Sequence, residues 1–224
     1  MGGRDPEAGL VDLDASGFVL AGGQSRRMGR DKALVPFAGR PLVAHALSIL
    51  QQAGLASAIA GAQSDLASFA PVVKDSDPGR GPLAGVCAAM ASTSARYAVF
   101  LPIDLPLLPP SLITFLLHHA RVTGSTITVP SVAGFDQTFP AVVDRTALPA
   151  LHAALGEGDG GCFAAFQTAA ASPGQAISSV AVELLAQSGQ VEHRQGLPSA
   201  IWFLNLNAPE DIERAEMIRA HRIA

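Results

Sequence analysis

Residues 20 to 32 read LAGGQSRRMGRDK. Behind Gly22 and Gly23 come Arg26, Arg27, Arg30 and Lys32, a concentration of cations in a chain with only 15 lysines and arginines. Glycine lets the backbone take positive φ and approach a ligand closely, and successive amide N–H groups in such a turn form a concave anion site. Arginine forks onto a phosphate, while lysine supplies a compact, mobile charge. The chemistry on offer is polyphosphate binding; a merely solvated basic connection would not require Gly-Gly at its head. The segment is not a P-loop, because five residues separate Gly23 from Gly29 and Ala33 follows Lys32, and the dinucleotide pattern GxGxxG is absent.

A second chemical group stands at Asp104, directly behind the apolar run Tyr97 to Ile103. A carboxylate at the end of a buried strand suits a hard divalent cation that bridges phosphates, the bland alternative being a turn cap before Pro106. Asp75, within KDSDPGRG, serves either a ligand or a polar turn. Asn207 reads as an N-cap for the last helix or as a site residue, and Asn205 lies inside the apolar run Ile201 to Leu206, where structure alone does not call for it. The six histidines have no metal-ligand spacing, and Cys87 and Cys162 read as reduced core residues.

These groups need a scaffold that gathers strand ends. Phe18 to Ala21 reads as a short buried strand that stops at Gly22-Gly23, and PLVAHALSILQQAG as a helix from Pro41 to Gly54. Short strands follow at Ser57 to Gly61 and Pro71 to Val73, then a helix from Gly81-Pro82-Leu83 to about Thr93. Tyr97 to Ile103 reads as a strand covered on both faces, Pro109 to Arg121 as a helix, and Ser125 to Pro130 as a strand. Beyond residue 130 the spacing predicts a strand over Phe135 to Val143, a helix over Leu148 to Leu155, a glycine-rich turn over Gly156 to Gly161, a late strand over Ile201 to Leu206 and a helix launched at Asn207 to Asp211. Alternating strands and helices predict right-handed βαβ units, hence an α/β fold with a doubly wound, mainly parallel sheet and helices on both faces. Ligands bind such sheets beyond the carboxyl ends of the strands, which is where the Gly-Gly loop and Asp104 fall.

Composition narrows the classes. With 49% hydrophobic residues the chain can bury a large core, and its 224 residues are expected to form a flexible N-terminal tail (1–15) and a single domain (16–224). A net charge of -4 argues against a polyanion-binding surface, so no nucleic-acid partner is expected. No stretch approaches the roughly 18 apolar residues of a membrane helix and the N-terminus has no signal-peptide h-region. A cytoplasmic protein without a membrane partner is the expectation.

LAGGQSRRMGRDKAL resembles the signature loop of the small nucleotidyltransferases, and specifically of the molybdenum cofactor guanylyltransferases of the MobA type, whose pattern LAGGxSxRMGxDK is matched from Leu20 to Lys32. The resemblance continues through Gly39-Arg40-Pro41-Leu42, Asp75, Gly81-Pro82-Leu83-Ala84-Gly85, LPIDLPLLPP and FLNLNAPED. It implies a Rossmann-like nucleotidyltransferase fold and transfer of GMP from GTP to the terminal phosphate of molybdenum-molybdopterin, with release of pyrophosphate. It further implies that Leu20, Ala21, Gly22, Gly23, Ser25, Lys32, Asp75, Gly81, Pro82, Leu83 and Asp104 bind the nucleotide. Lys32, Arg27 and Asp104 would carry catalysis, Asp104 would hold Mg²⁺, and Asn205 and Asn207 would lie on the acceptor side. Other proteins of molybdenum cofactor biosynthesis are implied partners. Three places depart from the family's pattern: Ala60 or Gly61 replaces a frequent asparagine, Ala208 the usual threonine, and Thr138-Phe139 a Pro-Leu pair. Two other readings keep much of this chemistry, a cytidylyltransferase or other small nucleotidyltransferase of the same fold, and a nucleotide-binding regulatory paralogue without turnover. Gly22-Gly23 and Asp31 favour the guanylyl branch, and the presence of both Lys32 and Asp104 favours an enzyme.

Overall fold

The computed structural model describes residues 14–21, 32–61, 64–75, 80–158 and 161–223. In chain order they form β1 (Ala15–Leu20), the short hairpin strands β2 (Pro36–Phe37) and β3 (Arg40–Pro41), α1 (Leu42–Gln52), β4 (Ala56–Ala60), β5 (Val72–Val73), α2 (Pro82–Ser92), β6 (Tyr97–Pro102), α3 (Pro110–Thr123) and β7 (Ile127–Val132). They continue with β8 (Phe135–Asp136), β9 (Ala141–Asp144), α4 (Leu148–Glu157), α5 (Gly161–Ala171), β10 (Ser178–Ala181), α6 (Val182–Gln187) and α7 (Pro209–Ile223).

The main sheet runs in the order β10-β7-β9-β6-β1-β4-β5, with β8 added to β7. Pairs β1·β4, β1·β6, β4·β5 and β7·β10 are parallel, whereas β9 runs antiparallel between β6 and β7. Side chains alternate faces along a strand, and here the alternation splits the core in two. Ala15 and Val19 of β1 with Tyr97, Val99 and Leu101 of β6 pack under α1, α3, α6 and α7. Phe18 and Leu20 with Ala98 and Phe100 pack under α2, α4 and α5. Central strands buried on both faces have to be apolar throughout, which is why Phe18 to Leu20 and Tyr97 to Leu101 read as unbroken runs. Prolines at the first turns of α2 and α3 and left-handed glycines after α1 (Gly54) and α3 (Gly124) set the helix ends where their punctuation predicts. No described helix is long and apolar enough to cross a membrane.

The second half departs from the expected elements. Ile201 to Leu206 is not a strand: Ser199–Ile201 makes a short 3-10 turn, after which the chain is irregular. Its apolar residues are spent on packing instead. Trp202 and Leu206 are buried against the α1 and α3 layer, and the Trp202 indole N–H donates to the Leu197 carbonyl at 2.8 Å. A short apolar run satisfies either a strand or such a plug, and periodicity does not tell them apart. The single strand expected over Phe135 to Val143 is split into β8 and β9, since Pro140 has no N–H for a ladder. The helices α5 and α6 and the strand β10 arise in the stretch left without elements.

At the amino end of β6, Asp144 is buried at the end of β9. It accepts from the Arg96 guanidinium at 2.9 Å and from the N–H and hydroxyl of Thr146 at 2.9 and 2.8 Å. Burial pushes its carboxyl up, but these donors outweigh burial and hold it below its ordinary value.

Candidate functional site

The parallel register sets Leu20 of β1 level with Ala60 of β4 and Pro102 of β6, so three strands end along one edge. The chain leaving β1 is tied to that edge, because the Ala21 N–H donates to the Ala60 carbonyl at 3.1 Å and the Ile103 N–H to the Leu20 carbonyl at 3.3 Å. Gly22, Gly23 and Ser25, with Arg26, Arg27 and Arg30, lie outside the described residues.

The chain re-enters at Lys32, which starts a 3-10 turn (Lys32–Leu34). Ala33 and Phe37 are buried, and the Leu42 N–H bonds the Val35 carbonyl at 3.0 Å, so the turn is fastened to the start of α1. From this seat the Lys32 ammonium donates to Asp104 Oδ2 at 3.0 Å and to Asn207 Oδ1 at 2.6 Å. Asp104 lies 72 residues and Asn207 175 residues downstream. The Lys32 and Asp104 side chains are only 13% and 23% exposed, which keeps their attraction from being fully screened by water.

Asp104 is held because the following residues Leu105, Leu107 and Leu108 are buried. The Leu206 N–H also donates to its carbonyl at 3.0 Å. That bond draws the last segment of the chain onto the end of β6. Asn207 is thereby delivered to Lys32, but not as a helix cap: α7 begins at Pro209, so Ala208 flanks it, and the Asn207 amide oxygen faces the ammonium. Asp211 was legible only as an acidic first-turn residue; its carboxylate reaches back to the Asn207 and Ala208 N–H groups, both at 2.9 Å. A carboxylate at the third helical position after a turn is the spacing of a capping box, the signal that would have found it. Asn205 is exposed in the same segment.

Gly81, Pro82 and Leu83 stand on the other flank of the edge. Gly81 has φ 75°, which favours glycine, and Pro82 opens α2. Leu83 packs in the cluster that contains Leu20 and Ala60, while Gly85 approaches the Gly61 backbone closely enough that a Cβ there would lie 3.7 Å away. Asp75, two residues beyond β5, is half-buried beside α2. Cys87 on α2 is pushed up to about 11, first by burial and then by the Asp75 charge. The site residues therefore fall into two groups on one edge, Lys32 bonded to both Asp104 and Asn207, and Asp75 with the start of α2 beside β4 and β5. Arg80, which the sequence reading did not single out, donates to the Gly156 carbonyl at 3.4 Å and ties the start of α2 to the end of α4.

Among the described residues no group of three or more His, Cys, Asp or Glu could hold a metal by itself. The donor set does suit a hard cation in another way. The Asp104 carboxylate and the Asn207 amide oxygen converge on one ammonium, and Mg²⁺ is commonly bound through one or two carboxylates, with waters and substrate phosphates completing the shell.

A doubly wound sheet whose strand ends gather a lysine, a carboxylate and an amide, in a chain whose sequence has Gly-Gly shortly after β1, defines a nucleotide-handling α/β protein. Comparisons narrow the class. The profile of the MobA-like NTP transferase domain matches residues 17–172. A probable molybdenum cofactor guanylyltransferase of Haloferax mediterranei is 31% identical over 214 residues, which span 90% of this chain and 93% of that protein. Among solved structures, molybdopterin-guanine dinucleotide biosynthesis protein A of Archaeoglobus fulgidus has a TM-score of 0.73 at 22% identity, covering 92% of this chain and 99% of that one. Rv0371C of Mycobacterium tuberculosis, solved as a complex with manganese, has a TM-score of 0.63 at 20% identity over 91% and 98% of the two chains. These structural likenesses show a common fold. The chain belongs to the MobA-like NTP transferase family, and it is a nucleotidyltransferase.

Proposed function

We propose that this protein transfers GMP from GTP to the terminal phosphate of molybdenum-molybdopterin and releases pyrophosphate. The observation that carries the reading is the meeting of Lys32, Asp104 and Asn207 at the carboxyl edge of the parallel strands, the edge at which β1 ends. The acceptor's phosphate oxygen is already an anion, so no side-chain nucleophile is needed. The protein's tasks are to align the two phosphates and to neutralise charge on the leaving pyrophosphate. An ammonium has three N–H donors, and among the described residues Asp104 and Asn207 take two of those on Lys32, which orients the ammonium for a further contact with a phosphate oxygen.

A divalent cation, Mg²⁺ in this reading, would be held by Asp104 and would offset the charge gathering on the pyrophosphate. The manganese in the Rv0371C complex supports a divalent ion in such a protein. Arg27 and the amides of Gly22 to Ser25 serve the phosphates, while Leu20, Ala21, Asp75 and Gly81 to Leu83 serve the nucleoside side of the pocket. Asn205 faces the acceptor. Other proteins that make the molybdenum cofactor are its expected partners. The test is pyrophosphate release with Mg²⁺, offering GTP and CTP separately, each with and without molybdenum-loaded molybdopterin. Release with GTP that depends on the acceptor is expected, and release with CTP alone would transfer the protein to the cytidylyl branch.

A further inference from the structure

Asp211 lies in the first turn of α7, and in its described contacts it serves the backbone rather than the Lys32 group. Its Oδ2 accepts the N–H groups of Asn207 and Ala208, both at 2.9 Å, and its own N–H returns to the Ala208 carbonyl at 3.1 Å. One residue earlier, the Leu206 N–H is bonded to the Asp104 carbonyl at 3.0 Å and the Leu206 side chain is fully buried. The backbone from Leu206 to Ala208 is thus pinned from both sides, upstream by Asp104 and downstream by Asp211.

This bracing decides what the Asn207 side chain does. Asparagine near a helix start ordinarily spends its amide oxygen on the first backbone N–H groups. Here a carboxylate from inside the helix supplies the cap, and Pro209 presents no N–H to capture the amide. The Asn207 oxygen is left to accept from the Lys32 ammonium at 2.6 Å. Lys32 is consequently oriented by two partners, one at the end of β6 and one set by α7.

We infer that Asp211 is a positioning residue: by fixing the Asn207 and Ala208 backbone it aims the Asn207 amide oxygen at Lys32, and so sets the ammonium that meets the nucleotide phosphates. The inference rests on the phosphate-binding role of Lys32 proposed above. It differs from a plain capping role, which would affect the stability of α7 and leave ligand binding alone.

The experiment compares GTP dissociation constants in the presence of Mg²⁺, with melting temperatures alongside, for the full chain and its variants Asn207→Ala, Asp211→Ala, Asp211→Asn, Glu210→Ala and the double Asn207→Ala/Asp211→Ala. Loss of one oriented hydrogen bond to a charged group corresponds to about tenfold in affinity, and this is expected for Asn207→Ala and for Asp211→Ala. The double variant should fall within about threefold of the weaker single, because residues acting through one contact are not additive. Asp211→Asn, whose amide oxygen still accepts both N–H groups, restores binding, and Glu210→Ala, which removes a charge from the same helix end, leaves it unchanged. Wild-type affinity in Asp211→Ala despite a lower melting temperature would overturn the inference, as would losses that simply multiply in the double variant. If the unaltered protein failed to bind GTP at all, the nucleotide reading would fall and this inference with it.

Discussion

Replacing Lys32 by methionine removes the ammonium and keeps the length of the side chain. In the ligand-free protein the cost is modest. At the observed 3.0 Å and an effective dielectric of about 20, the gross attraction to Asp104 is about 5.5 kcal/mol. Both groups give up water to form it, so a hydrogen bond between charged partners nets only about 1.5–3 kcal/mol. Asp104 is 23% exposed, and water reaching its carboxylate in the variant recovers part of even that. A loss of about 1 kcal/mol is expected, which for a chain of this size lowers Tm by about 2–4 °C. Binding has no such compensation, because the triphosphate loses a charge-assisted contact worth about 1.5–3 kcal/mol, or about 10–150-fold in Kd. Calorimetric titration with GTP and Mg²⁺, paired with a thermal scan, reads both quantities. A Kd within about threefold of wild type would refute the phosphate role, and a Tm drop of more than about 10 °C would make Lys32 a structural residue instead.

Three further outcomes follow from the same geometry. Asp104→Asn removes the carboxylate for the divalent ion and the negative partner of Lys32; GTP affinity measured in EDTA should stay within about threefold of wild type while Mg²⁺-dependent turnover falls by about 100-fold or more, and normal turnover would make the assignment of the ion to Asp104 wrong. Asp144→Asn should cost about 1–2 kcal/mol near neutral pH. Because the folded carboxyl sits below its ordinary 3.8, its contribution is present above that value and fades as pH falls through the lower folded value. Denaturant titrations of wild type and variant should therefore converge in acid, once the folded carboxyl is protonated, and a gap that persists there would contradict the assignment. Burial raises both thiols, Cys87 to about 11 with help from the Asp75 charge and Cys162 to about 12 with help from Cys87. A disulfide reagent at pH 8 should accordingly label neither thiol in the folded chain and both after denaturation, whereas rapid labelling of native protein would show an accessible thiolate.

The first half of the fold is legible from residue order because each element carries its own punctuation, proline at the starts of α2 and α3 and glycine after α1 and α3. Asp104 is legible as a carboxylate stranded at the end of an apolar run. The helix α5 buries Cys162, Ala165, Phe166, Ala169 and Ala170, a true helical stripe, but alanines on its other faces flatten the contrast that reveals such a stripe. The antiparallel insertion of β9 depends on pairing partners far away in the chain, which local pattern does not encode. Most instructive is the segment around Asn207. The sequence shows Lys32, Asp104 and Asn207 separately, yet their meeting is set by the Leu206 to Asp104 backbone bond and by the Asp211 carboxylate. An apolar run read as a strand hid the first of these, and Asp211, read only as part of the launch of the last helix, hid the second.

Transfer of a nucleotidyl group from GTP by attack at the α-phosphorus is decided by following the label. The protein is incubated with Mg²⁺, molybdenum-loaded molybdopterin and GTP carrying radioactive phosphorus at either the α or the γ position, and the pterin product is isolated. The α label is expected in the pterin product and the γ label only in pyrophosphate. Label in the pterin product from the γ position, or from α-labelled CTP but not GTP, would contradict it.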